Sequence, residues 1–216
     1  MALKDIMLRH GTDKVQGHSY ADIYEWYFEP HRYRDVSLLE IGVGGYSDPN
    51  AGGHSLRAWK EYFPYGDIVS FDIVNKTSLM EDRITIYQGS QADNVFLESL
   101  IDTIGMPNII IDDGSHVNAH VISTFQFLFP NLQDGGIYVV EDVQTSYFPE
   151  LRGGSQTTME YFKGLLDGLN YREREGYYNH TYFDKNIVWI HFYHNLIFIG
   201  KGNNREESNT LKDNKR

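Results

Sequence analysis

The chain has 216 residues and no cysteine, which is long enough to bury a core without disulfides or a structural metal. The lack of thiols excludes disulfide scaffolds, thiolate zinc sites, iron–sulfur clusters and cysteine nucleophiles, so any metal must be held by oxygen or imidazole. With 19 basic against 30 acidic residues the formal net charge is −11, a field that repels phosphate backbones and anionic membranes and argues against nucleic acid as a partner.

The opening residues, MALKDIMLRHGTDK, hold no apolar run before a small-residue cleavage site, and nothing further on approaches the roughly 20 apolar residues that span a bilayer. A cytoplasmic chain without membrane insertion is therefore expected. Short helices over residues 3–9 and 19–28 flank a polar loop from His10 to His18, together a helical cap segment over residues 1–30. Strand-like apolar runs follow at 37–42, 68–73, 84–88, 108–112 and 136–141, each bounded by Gly, Asp or Pro. Between them, helical periodicity appears at 54–63, 92–102 and 117–129. This alternation predicts an α/β domain of five parallel strands joined by crossover helices. A helix over 157–169 and an antiparallel hairpin over 187–199, turning at His194-Asn195, complete a single domain ending at residue 202. Residues 203–216, of mixed charge and without apolar periodicity, read as a disordered tail.

The first chemical motif is Glu40-Ile41-Gly42-Val43-Gly44-Gly45 at the end of the first strand, where glycines let a ligand approach the backbone. It is not a full dinucleotide fingerprint, because position 47 is Ser and Asp72, ending the next strand, lies thirty residues after Gly42 instead of the usual 20 or so. Asp72 followed by Ile73 reads as a ribose acceptor beside an apolar surface for adenine, or else as a simple strand-end cap. Gln91 and Asp93, after the third strand, are placed to reach an adenine amino group. The combination favours an adenosyl ligand over NAD.

Asp112-Asp113-Gly114-Ser115-His116 follows the fourth strand and Glu141-Asp142 ends the fifth. Ends of adjacent parallel strands open on one crevice, so these carboxylates converge and their mutual repulsion calls for protonation or a cation. Oxygen ligands favour Mg²⁺, Mn²⁺ or Ca²⁺ over Zn²⁺, with Asp113, Glu141 and Asp142 as the ligands; Asp112 alone fits a capping role equally well. His116, three residues past Asp113, is placed to take a proton from a bound hydroxyl.

The segments LEIGVGGYSDPNAGGHSLRAWKEYFP, IIIDDGSHVNAH and YVVEDVQTSYFP together resemble the class I S-adenosylmethionine-dependent O-methyltransferases that act on macrolide sugars and on deoxysugars such as rhamnose. The resemblance runs from about His10, with its HGTDK, to Gly154. It implies a Rossmann-like class I methyltransferase fold with a mostly parallel seven-stranded sheet and a C-terminal antiparallel hairpin. It also implies metal-dependent methylation of a sugar hydroxyl in a glycan or glycoside, with Mg²⁺ or Mn²⁺ at Asp113, Glu141 and Asp142 and His116 as general base. Glu40, Gly42 and Gly44 would line the methionine end of the cofactor, Asp72 its ribose, and Gln91 and Asp93 its adenine, with Asp112 alongside and Thr12 closing over it. The macrolide sugar enzyme of this kind carries an additional N-terminal domain that helps build its oligomer, whereas a short helical segment is expected before the core here, so a homo-oligomer is compatible with the resemblance without being carried over from it. Aromatic residues at Tyr147, Phe148, Tyr161, Tyr177 and Tyr178 could stack on an acceptor sugar.

Other readings weigh less. A non-sugar vicinal diol could chelate the same ion, a nicotinamide oxidoreductase would need a Tyr-x-x-x-Lys pair that the chain lacks, and a non-catalytic binding module would leave His116 without a purpose.

Overall fold

The structure, a computed structural model, describes residues 1–174 and 179–208. Its strands are β1 (Ser37–Ile41), β2 (Asp67–Asp72), β3 (Ile84–Gln88), β4 (Ile109–Asp112), β5 (Ile137–Glu141), β6 (Ile187–Tyr193) and β7 (Leu196–Lys201). They form one sheet in the order β3-β2-β1-β4-β5-β7-β6. The first five run parallel, and β7 is antiparallel to both β5 and β6. The expected parallel core and closing hairpin are thus both present.

The helices of the described residues are α1 (Leu3–His10), α2 (Asp13–Gln16), α3 (Ala21–Phe28), α4 (His54–Tyr62), α5 (Asn94–Ile104), α6 (Asn118–Leu128), α7 (Thr158–Gly164) and α8 (Tyr182–Asn186). Strand side chains alternate between two layers. Leu38, Ile109, Ile111 and Val139 pack with Leu3, Tyr24, Phe28 and Trp59 of α1, α3 and α4. Leu39, Ile110 and Val140 pack with Leu97, Phe125 and Phe162 of α5, α6 and α7. A sheet covered on both faces explains why β4, Ile-Ile-Ile-Asp, is buried along its whole length.

Three boundaries differ from expectation. The loop between His10 and His18 contains α2, because Gly11 in the left-handed region ends α1 and the Thr12 side chain caps a new turn by accepting from Lys14 N. The helix expected over 157–169 stops at Gly164 and gives way to a 3₁₀ stretch, Leu166–Arg174, broken at Asn170. Glycines at 164 and 168 weaken a continuous helix there. The start of the expected tail is tied down, since Asn204 donates from its backbone to Lys185 O and from its side chain to Asp184 O. Residues 209–216 of that tail, like Tyr177 and Tyr178, lie outside the described residues.

No helix of the described residues is long and apolar enough to cross a membrane. What matters for the site is the strand order, which reverses between β1 and β4. Loops leaving those strands diverge at that point and open a crevice at their carboxyl ends.

Candidate active site

The crevice is a cleft of about 600 Å³. Its β1 wall carries Gly42 and Gly44, its β2 wall Asp72 and Ile73, and its β4 and β5 walls Asp113, His116 and Asp142. Gly42 has φ 93°, and a Cβ there would run into the carbonyl oxygen of Asp113. The two strand ends therefore touch through backbone alone, and only glycine fits.

Asp72 accepts from Val43 N at 3.0 Å through Oδ2 and from Val74 N at 2.8 Å through Oδ1. Both oxygens keep a second lone pair, and Ile73 beside it is 73% exposed. Gln91 also lines the cleft, but its amide is committed. Its Oε1 accepts from Ser115 N, and its Nε2 donates to Asp112 and Thr124. Asp112 itself is sealed beneath the cleft, where burial pushes its carboxyl up to about 7.

Several expected cofactor contacts are not on the cleft wall. Asp93 is the N-cap of α5, its Oδ1 accepting from Val95 N and Phe96 N. Thr12 is buried as the cap of α2, and the neighbouring Asp13 lines the cleft instead. Glu40 lies under the floor, accepting from Trp59 Nε1 at 2.8 Å. Of the aromatic residues, Tyr147 and Phe148 are exposed, whereas Tyr161 packs on Phe125 and Phe162.

The carboxylates at the β4 and β5 ends form two groups sharing Asp113. Asp113, His116 and Asp142 bring ligand atoms within 4.8 Å of one another, as do Glu40, Asp113 and Glu141. In the first group His116 Nε2 lies 3.9 Å from Asp113 Oδ1 and 4.0 Å from Asp142 Oδ2. His116 and Asp142 both sit at positive φ, 56° and 53°, a cost that non-glycine residues bear where the surroundings fix a side chain's direction. For Asp142 this turn exposes its carboxylate while Glu141, one residue earlier, stays buried.

The second group holds a residue that sequence reasoning missed. Lys14 Nζ is buried at 2.8 Å from Asp113 Oδ2, 2.7 Å from Glu141 Oε1 and 3.3 Å from Glu40 Oε1. Burial alone would lower the ammonium's pKa, but Asp113, Glu141 and Glu40 together hold it well above its ordinary value. Burial, with Asp113, pushes the Glu141 carboxyl up, and Lys14 opposes this. Tyr24 OH also donates to Glu141 Oε1. On the open side Tyr20 OH donates to Asp142 Oδ1 at 2.8 Å, and His18 Nε2 stands 3.5 Å from the same oxygen. Lys14, His18 and Tyr20 all lie in the segment HGTDKVQGHSY, whose polar composition marks a cap over the core and not a part of the site.

No family model matches the chain. Among curated proteins it is 45% identical over 206 residues to the 8-demethyl-8-alpha-L-rhamnosyl tetracenomycin-C 2'-O-methyltransferase of Streptomyces olivaceus, covering 92% of this chain and 54% of that protein. It is 43% identical over 213 residues to the mycinamicin VI 2''-O-methyltransferase of Micromonospora griseorubida, covering 94% of this chain and 53% of that protein. Among solved structures, the MycE methyltransferase from the mycinamycin biosynthetic pathway, in complex with Mg, SAH and mycinamycin VI, superposes with a TM-score of 0.91 at 41% identity, over 96% of this chain and 55% of that one. The chain spans about half the length of the curated relatives it matches. Along that half it is homologous to these sugar O-methyltransferases and shares the α/β fold of the MycE methyltransferase.

Proposed function

We propose that this domain transfers a methyl group from S-adenosylmethionine to a hydroxyl of a sugar carried by a glycosylated natural product, with a divalent cation of the Mg²⁺ type. The observation that supports this most is the placing of Asp113, His116 and Asp142 on one wall of the cleft whose other wall is Gly42, Gly44, Asp72 and Ile73. Relatives that methylate the 2' or 2'' oxygen of a sugar support the acceptor class.

The residues fit both groups. Asp72 keeps lone pairs for two ribose hydroxyls, Ile73 offers an apolar face for adenine, and the glycine wall admits the methionine end. Asp113 and Asp142 present carboxylate oxygens to the cleft, and Glu141, whose Lys14 and Tyr24 contacts both use Oε1, keeps Oε2 for the same cation. An all-oxygen donor set suits Mg²⁺ or Mn²⁺. When bound, the ion supplies Lewis-acid polarisation of the acceptor oxygen.

His116 accepts the hydroxyl proton on Nε2 as the oxygen attacks the methyl carbon. The C–O bond forms, the sulfonium C–S bond breaks, and S-adenosylhomocysteine leaves with the methyl ether. Asp113 Oδ1 and Asp142 Oδ2 flank the imidazole at 3.9 and 4.0 Å from Nε2. Glu40, Thr12, Asp93 and Asp112 support the walls without entering the reaction.

The test is transfer of labelled methyl from S-adenosylmethionine to a panel of rhamnosylated polyketides, other glycosides and catechols. Labelled methyl ether on a sugar, abolished by EDTA and restored by Mg²⁺, is the expected result. Labelling of catechols alone would move the acceptor to a non-sugar diol, and activity that survives EDTA would remove the cation from the account.

A further inference from the structure

We propose that Lys14 is a positioning residue for the cation site, selecting which carboxylate oxygens face the divalent ion. This deepens the reading above and rests on it. The ammonium holds Asp113 by Oδ2 and Glu141 by Oε1. The oxygen of Asp113 left to the cleft is Oδ1, which is the one near His116. On Glu141, Tyr24 uses the same oxygen as Lys14, so one side of that carboxylate is occupied from behind and the other is not.

Lys14 reaches these oxygens because it rides on α2, one turn anchored at both ends. Thr12 caps its start, and Tyr20 N donates to Lys14 O just beyond it. Asp13, the residue before Lys14, faces the cleft. The cap segment is thus fastened to the ends of β1, β4 and β5 by one ammonium contacting a carboxylate at or just beyond each strand. A ligand held from behind loses about 10–100-fold in metal affinity when that support is removed.

Charge alone predicts the opposite sign. Removing a cation that lies between acidic ligands raises the negative field and should tighten divalent binding. The direction of the effect therefore separates positioning from mere counter-charge.

Mn²⁺ binding to the full chain, followed by electron paramagnetic resonance for wild type and Lys14→Met, carries the test. S-adenosylhomocysteine affinity, measured alongside, reports an intact cleft. Positioning predicts Mn²⁺ affinity about 10–100-fold weaker in Lys14→Met, with S-adenosylhomocysteine affinity within twofold because Lys14 is not on the cleft wall. Equal or tighter Mn²⁺ binding by the variant overturns the proposal while leaving the proposed function standing. No Mn²⁺ binding by the wild type would overturn both. Should Lys14→Met not fold, Lys14→Arg decides: it keeps the charge but cannot place a single nitrogen between the two oxygens, so weakened Mn²⁺ binding supports positioning and unchanged binding refutes it.

Discussion

Glu141 and Asp142 are adjacent in sequence and belong to opposite environments. The side chains of Lys14, Glu40 and Glu141 are at most 2% exposed, against 19–27% for Asp142, Asp113 and His116. On the sealed side, acidic charge is balanced within the protein by an ammonium, a phenol and an indole N–H. On the open side, the partners of Asp142 are one phenol and two imidazoles, and its second oxygen faces the cleft. Similar carboxylates therefore do different work: those on the sealed side are tied into the chain, with Glu141 keeping only Oε2 for a ligand, and Asp142 is left to meet one. Asp113 belongs to both, tied by Oδ2 and open by Oδ1.

The contrast yields predictions that fall on different observables. Lys14→Met should lower unfolding free energy by about 3–5 kcal/mol in urea titrations, because it leaves buried carboxylates without their cation; a loss below 1 kcal/mol would mean that the sealed side is not held by charge. His116→Ala should reduce turnover by about 10²–10⁴-fold while stability and S-adenosylhomocysteine affinity change little. A parallel loss of affinity would make His116 part of the wall instead of the proton acceptor. Asp72→Ala should weaken S-adenosylhomocysteine by about 10–100-fold, as expected for lost hydrogen bonds to a charged group, and calorimetry reads this directly. The smallest effect is expected for Asp93→Ala, a loss of about 1 kcal/mol of stability from an uncapped α5 with cofactor affinity intact; weakened affinity would return Asp93 to the adenine site.

Much of the fold was legible because each parallel strand is a short apolar run ended by Gly, Asp or Pro, and α6 shows its buried face in the spacing of Val121, Phe125 and Leu128. The open side was legible for the same reason: strand ends at a reversal of strand order must share a crevice, so Asp113 and Asp142 could be placed together from sequence. The sealed side was not. A lysine is almost never fully buried unless paired, and α2, at four residues, is too short to show periodicity, so nothing local marked Lys14 as pointing inward. Asp93 carries a second signal. An Asp directly before the apolar run NVFLESL is an N-cap signal, and the structure uses it as one.

The most direct test of the account is calorimetric titration of S-adenosylhomocysteine into the full chain, with and without Mg²⁺. One equivalent bound per chain in both conditions is predicted, since the glycine and Asp72 wall is complete without the ion. No binding in either condition would contradict the assignment of the cleft to an adenosyl cofactor, and with it the methyl-transfer chemistry built on that assignment.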